Sequence, residues 1–238
     1  MIEVRVVNYT PNPELQIAIA ARSCIEDKNY EFIKDELKQK DIERIIKTVI
    51  LKNHLSVLEH ANFTFSISGV TRILTHQLVR HRIASYSQLS QQRTDSSELK
   101  FSTPPDIKNR EDLLIEYEEL LNQCRELYKR LIERGISFGS ARYVLPSSFE
   151  TKIVATLNAR SLFNVFAQRE CQKEDWEFRL VARMMHVELM KISPFIFKYA
   201  GPLCQTKGVC PEGKRVFECG GYFGVSLVDS ELAESIER

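Results

Sequence analysis

The chain has 238 residues, with 33 Lys and Arg against 32 Asp and Glu, and a net charge of +1 provides no overall field to attract nucleic acid or a membrane. An apolar fraction of 43% supports a sizeable core, and a charged fraction of 27% is ordinary for a globular protein. Only nine residues are glycine, and no G-x-G-x-x-G occurs, which excludes a dinucleotide fold built on a glycine-rich phosphate turn. Any phosphorylated ligand must therefore be held by side chains.

Residues 2–8 alternate Ile2, Val4 and Val6 with Glu3 and Arg5, the pattern of a strand with one buried face. Pro11 and Pro13 interrupt it, and a helix is expected over 14–24. Residues 41–53 place Ile42, Ile45, Ile46, Val49 and Ile50 on one helical face. A second alternating strand spans 61–68 and is expected to stop at Gly69, with a helix over 70–82 after it. Ser102 to Pro105 reads as a loop and hinge point. The longest helix is expected over 111–134, packed along its whole length and stopped by Gly135. A strand at 151–157 and helices at 160–172 and 174–191 follow, with Pro194 ending the last. Strands and helices do not alternate regularly. The expected class is α+β, a small antiparallel sheet packed against long helices, with a single domain over 1–200. From 201 to 238 the composition shifts to a loop-rich Cys/Gly tail.

No apolar run approaches the roughly 18 residues of a membrane span, and the first residues carry no apolar h-region. The six cysteines are therefore expected as reduced thiols in a cytoplasmic setting.

Chemistry concentrates between residues 53 and 99. Four of the five histidines, His54, His60, His76 and His81, lie there, with Arg72, Arg80, Arg82 and Arg93 and no lysine. Arginine presents a planar fork that grips phosphate or carboxylate through two bonds, so the bias points to oriented oxyanion recognition. On a continuous helix His76, Gln77 and Arg80 share a face. Beyond Arg82, Ser85, Ser87, Gln88, Ser90, Gln91 and Gln92 supply neutral donors and acceptors. His60 and His186 read as satisfied structural histidines, and Trp176, Leu180, Met184 and Val187 as a core or subunit stripe.

Arg80-His81-Arg82, followed after seven residues by Ser90, resembles the signature of the flavin-dependent thymidylate synthases. Three further blocks fall in the same order: His54 to His60, Ala141 to Pro146, and Asn158 to Asn164 followed by Arg169. The resemblance implies reductive methylation of dUMP to dTMP. In that reaction 5,10-methylenetetrahydrofolate is the carbon donor, FAD in its reduced form the hydride donor, and NADPH the reductant. It implies a homotetramer with active sites between subunits, small-molecule substrates, and neither nucleic acid nor membrane as partner. His54, Ser56, Arg80, His81, Arg82, Gln88, Asn158, Ala159, Arg160 and Asn164 would bind FAD. Gln77, Leu78, Val79, Arg80, Gln88, Leu89, Ser90, Gln91, Gln92, Arg93, Arg142 and Arg169 would hold dUMP. Arg169, permanently cationic, would orient and activate the uracil ring as catalytic residue. No cysteine falls in a matching block, so no thiol nucleophile is expected, and Ser90 reads as a ligand-binding hydroxyl. The sequence departs from the family after Ser90, where Arg93 lies one residue late. Arg22 is a further candidate near the flavin.

The alternatives are a nucleic-acid module using Arg72, Arg80 and Arg82, which the neutral charge disfavours, and a metal-stabilised interaction protein. Cys204, Cys210 and Cys219 are one ligand short of a closed zinc site, and the fourth would come from His186 or another subunit. A loop of reduced thiols or one disulfide is the simpler reading, so no metal is assigned. Gly208 to Arg215 nearly matches a phosphate loop, but Arg215 replaces the metal-binding hydroxyl and Pro211 removes a donor.

Overall fold

Alternating apolar side chains at the N-terminus and in the 60s pair as neighbouring strands in a computed structural model that describes residues 1–98, 100–213 and 219. The sheet has four strands, β1 (Glu3–Tyr9), β2 (Asn62–Thr71), β3 (Ala84–Gln88) and β4 (Glu150–Asn158), in the order β1-β2-β4-β3 with every pair antiparallel. Phe63, Phe65 and Ile67 of β2 lie opposite Leu157, Ala155 and Ile153 of β4, and all six are buried on one face. Burying a side chain of the size of these phenylalanines is worth about 2 kcal/mol relative to exposure.

The helices are α1 (Pro13–Ser23), α2 (Tyr30–Glu36), α3 (Gln39–Leu51), α4 (Arg72–Leu78), α5 (Pro105–Lys108), α6 (Glu111–Glu133), α7 (Phe138–Ala141), α8 (Ala159–Arg169), α9 (Trp176–Ile192), α10 (Pro194–Phe197) and α11 (Leu203–Thr206). Short 3₁₀ turns occupy Leu55–His60 and Arg142–Val144. The core joins Ile42, Ile46 and Val49 of α3 and Leu162, Val165 and Phe166 of α8 to Phe178, Val181 and Met185 of α9 on the apolar sheet face. The α+β class is as the sequence implied.

Several expectations change. Gly69 does not end β2. With φ +69 it makes a bulge between Ser68 and Val70, and a Cβ there would meet the Met1 carbonyl oxygen at 2.3 Å. The strand runs on to Thr71, whose hydroxyl caps α4 by accepting from the Leu74 amide. The helix expected over 70–82 is therefore only Arg72–Leu78. The polar run after Arg82 is partly β3, with Ala84, Tyr86 and Gln88 turned inward and Ser85 and Ser87 outward. Ser102 is not at a free hinge, because its amide bonds the Ser148 carbonyl and Phe101 bridges to Phe149.

Helix α6 stops where expected. Gly135 at φ +80 lets its own amide bond Ile132 O and that of Ile136 bond Leu131 O, closing the last turn. Its packing differs from expectation: Leu121 and Tyr128 are buried, while Leu113, Ile115, Leu120 and Leu127 stand exposed. Pro194 starts α10 rather than merely ending α9. Of the tail, residues 214–218, Lys214 and Arg215 of the near phosphate loop among them, and residues 220–238 lie outside the described residues. No helix among the described residues is long and apolar enough to cross a membrane.

Candidate functional site

Arg169 ends α8, and its guanidinium meets side chains from α4, the turn after it and the start of α9. Its Nε donates to His81 Nε2 at 2.9 Å, and its Nη1 donates to Gln77 Oε1 at 3.1 Å and to Glu174 Oε2 at 2.7 Å. The guanidinium lies 4.7 Å from the centroid of the Phe178 ring, which also takes the edge of His81. Four residues from three segments thus fix its plane. Burial, reinforced by the Arg169 charge, lowers the His81 pKa to about 4. His81 is neutral at physiological pH, with Nε2 accepting, so its proton resides on Nδ1.

The turn after α4 is what aims His81 inward. The Tyr86 hydroxyl on β3 points at the carbonyl oxygens of Leu78 and His81, at 2.9 and 2.8 Å, and burial pushes its own pKa up to about 12. Leu78 is buried beneath the turn, while Val79, Arg80 and Arg82 are exposed. Ile83 follows at φ +63, left-handed for a β-branched residue, and its carbonyl accepts from Ser161 Oγ. Alternate residues of this turn therefore serve different places: His81 faces Arg169, and Arg82 lines a separate cavity.

That cavity encloses about 870 Å³ and is lined by Arg82, Asn158, Arg160, Asn164, Phe163 and Lys198 among others. A neighbouring cleft of about 630 Å³ carries His54, Ser56, Arg22, Arg44 and Lys52, and Arg160 lines both. Arg160 pairs with Glu59 at 2.5 Å, while Arg22 is clamped by Glu26 and Glu36. Asn158 spends its side-chain oxygen capping α8 by accepting from the Ser161 amide, with buried Ala159 behind it. Asn164 bonds Gln168.

A third grouping lies beside the sheet edge. Gln88 donates to Thr75 at 2.9 Å, and the Leu89 amide bonds Lys152 O. Ser90 and Arg93 are exposed, Gln91 is buried, and Gln92 lies close enough to Gly139, just ahead of Arg142, that a Cβ added there would meet its Cγ at 3.2 Å. Burial and the nearby Arg142 charge both lower the Arg72 pKa, so two guanidiniums share this corner. Two cations brought together offer a place for an anion.

The structure thus gathers Gln77, His81 and Arg169 in one contact set. It gathers Arg82, Asn158, Arg160 and Asn164 around one cavity, and it leaves Ser90 to Arg93 and Arg142 on another side. Among the described residues, sequence reading missed Glu174 and Phe178, which hold Arg169 from the next segment, and Arg72 as the neighbour of Arg142. His60 is exposed rather than a buried structural histidine, whereas His186 is buried between Glu170 and the Phe197 carbonyl.

The sequence profile of a family described as thymidylate synthase complementing protein matches residues 5–195. A flavin-dependent thymidylate synthase of Clostridium tetani is 38% identical over 92% of this chain and 93% of its own. One from Geobacter sulfurreducens is 38% identical over 98% of this chain and all of its own. One from Pyrococcus horikoshii is 42% identical over 89% of this chain and 90% of its own.

Proposed function

Because the chain belongs to the flavin-dependent thymidylate synthases, we propose that it converts dUMP to dTMP with FAD as its flavin, 5,10-methylenetetrahydrofolate as carbon donor and NADPH as reductant. The observation that carries this reading is Arg169, fixed by Gln77, His81 and Glu174 beside the family's signature turn.

The residues present suit a flavin dinucleotide. The larger cavity combines the ring of Phe163 with Arg82, Arg160 and Lys198, an apolar wall and cations for phosphate, with no glycine loop required. Asn158 and Asn164 supply amides at its edge, and His54 and Ser56 line the adjoining cleft. Bound there, the reduced flavin supplies the hydride. The protein supplies position and field. Arg169 would face the uracil carbonyl and stabilise negative charge as the ring becomes nucleophilic, and neutral His81 would hold it there without adding a competing positive charge. Arg72, Arg142 and the Ser90 to Arg93 segment would take the nucleotide phosphate.

No thiol is given a nucleophilic role in this scheme. Cys24, on the smaller cleft, stands at the C-cap of α1 with its Sγ on the Ala20 carbonyl. The separation of the nucleotide corner from the flavin cavity within one chain supports a site completed between subunits, as in a homotetramer. We further assign residues 1–200 to one catalytic domain and 201–238 to a tail extension, and we place the protein in the cytoplasm.

The test is direct. Purified protein is expected to be yellow, with a flavin spectrum that dUMP perturbs. Arg169→Ala should lower dTMP formation at least about a hundredfold, a loss of the size seen when one electrostatic donor to a transition state is removed, with FAD retained. A colourless protein unable to take up added FAD would sink the flavin assignment. An Arg169→Ala variant that loses FAD but binds dUMP normally would sink the role of Arg169.

A further inference from the structure

Four of the six cysteines converge on one place that the proposed reaction does not use. Cys171 lies in the loop after α8, Cys204 in α11, Cys210 outside any helix or strand, and Cys219 in a turn. All four line a single cavity with about 20 Å³ of free space, whose wall also holds Lys173, Pro202, Leu203, Pro211 and Glu212. That is room for one atom or ion and no organic ligand. Cys24 and Cys124 lie elsewhere, and all six thiols are free.

The spacing of Cys204, Cys210 and Cys219 offers three ligands where a closed tetrahedral site needs four. His186, the sequence candidate for the fourth, is committed: Nδ1 bonds Glu170 at 2.8 Å and Nε2 bonds Phe197 O at 2.9 Å. Cys171 fills the vacancy from a distant part of the chain. We propose that Cys171, Cys204, Cys210 and Cys219 form a closed tetrathiolate site for a single Zn²⁺ ion, which staples the C-terminal segment to the α8–α9 loop.

A zinc ion held by four cysteines takes them as thiolates, so binding is coupled to loss of their protons. Tetrahedral sulfur donors select zinc or iron–sulfur centres, and the volume available excludes a multi-iron cluster. Among the described residues no three ligating groups stand in a metal-holding arrangement, so binding must draw the four sulfurs inward from the cavity wall. Cys210 itself lies outside helix and strand and Cys219 itself in a turn, so neither has to leave a helix or strand to reach Zn–S bonds of about 2.3 Å. Binding displaces the thiol protons to solvent and leaves four Zn–S bonds, with no change of oxidation state.

The experiment uses full-length untagged protein, reduced, incubated with Zn²⁺ and desalted, and reads metal by mass spectrometry independently of flavin or turnover. About one zinc per chain is expected. Co²⁺ in its place should give the intense sulfur-to-metal and ligand-field bands of a tetrahedral tetrathiolate. Cys171→Ser and Cys210→Ser should each lower retention on the order of tenfold, while Cys24→Ser and Cys124→Ser retain it. Wild-type protein holding less than roughly a tenth of an equivalent would overturn the site. So would Cys171→Ser retaining as much zinc as wild type, or a native disulfide among the four thiols by intact mass. The Co²⁺ spectrum of the wild-type chain decides the matter even where a variant fails to fold.

Discussion

Arg169 is held by its neighbours rather than by its own helix, and that dependence gives its surroundings a measurable signature. His81 accepts a hydrogen bond from Arg169 only while neutral, and its pKa of about 4 in the fold lies well below the usual value near 6.5. Its stabilising contribution is therefore complete above about pH 6.5. It is lost as pH falls toward 4, because the unfolded chain takes up the proton first. The full effect is roughly 3 kcal/mol for a shift of this size. His81→Gln keeps an acceptor near the Nε2 position and cannot titrate. Urea unfolding of both proteins between pH 7 and about pH 4 should show the wild type losing stability more steeply by roughly that amount. Superimposable pH profiles would mean that His81 is solvated and free of Arg169. Arg169 itself was reached from sequence by resemblance. Glu174 and Phe178 were not, because residues five and nine positions beyond it meet its guanidinium only once α9 folds back on α8.

At the scale of elements, the long amphipathic helices and the two strongly alternating strands were legible because their apolar periodicity is set by one dominant neighbour. Strand β3 was not. Among the described residues it lies at the sheet edge and pairs only with β4, and its inward residues are Ala84, Tyr86 and Gln88, too little apolar surface to signal a strand. The helix over 70–82 was read too long because nothing in its periodicity marks where Tyr86 claims the Leu78 and His81 carbonyls and turns the chain. The turn leaves Ile83 left-handed at φ +63 and 75% exposed, so little burial offsets the conformational cost. A left-handed L-residue costs roughly 1–2 kcal/mol, and asparagine tolerates that region better. Ile83→Asn should therefore raise stability by about 1 kcal/mol, or about 2–4 °C in Tm for a chain of this size. An unchanged or lower Tm in calorimetry would show that the isoleucine side chain contributes packing beyond this chain.

For the whole molecule, the tally of glycines and charges directs attention to side-chain cations, and the cations divide unevenly. Arg82, Arg160 and Lys198 surround the large cavity, while Arg72 and Arg142 sit together beside the sheet edge. The proposed reaction needs the nucleotide beside the flavin, and in the proposed homotetramer neighbouring chains would bring the two groups of cations together. Helix α6 gives that assembly a physical handle. Its periodicity revealed an apolar stripe but not what covers it. Leu113, Leu120 and Leu127 recur every seventh residue and are 39%, 56% and 39% exposed, while Leu121 and Tyr128 on the next face are buried. A stripe at this spacing matches the seam by which one helix packs on another. In the proposed homotetramer it would lie against another subunit. Leu120→Glu places a charge in that seam while removing little from the chain's own core, where an exposed substitution changes stability by about 0.5 kcal/mol or less. Light scattering of the variant should report a species smaller than wild type, with an unchanged far-ultraviolet circular dichroism spectrum. Because the nucleotide corner and the flavin cavity would then be separated, turnover should fall with the assembly and recover at protein concentrations that restore it. A variant that scatters as wild type would remove α6 from the interface.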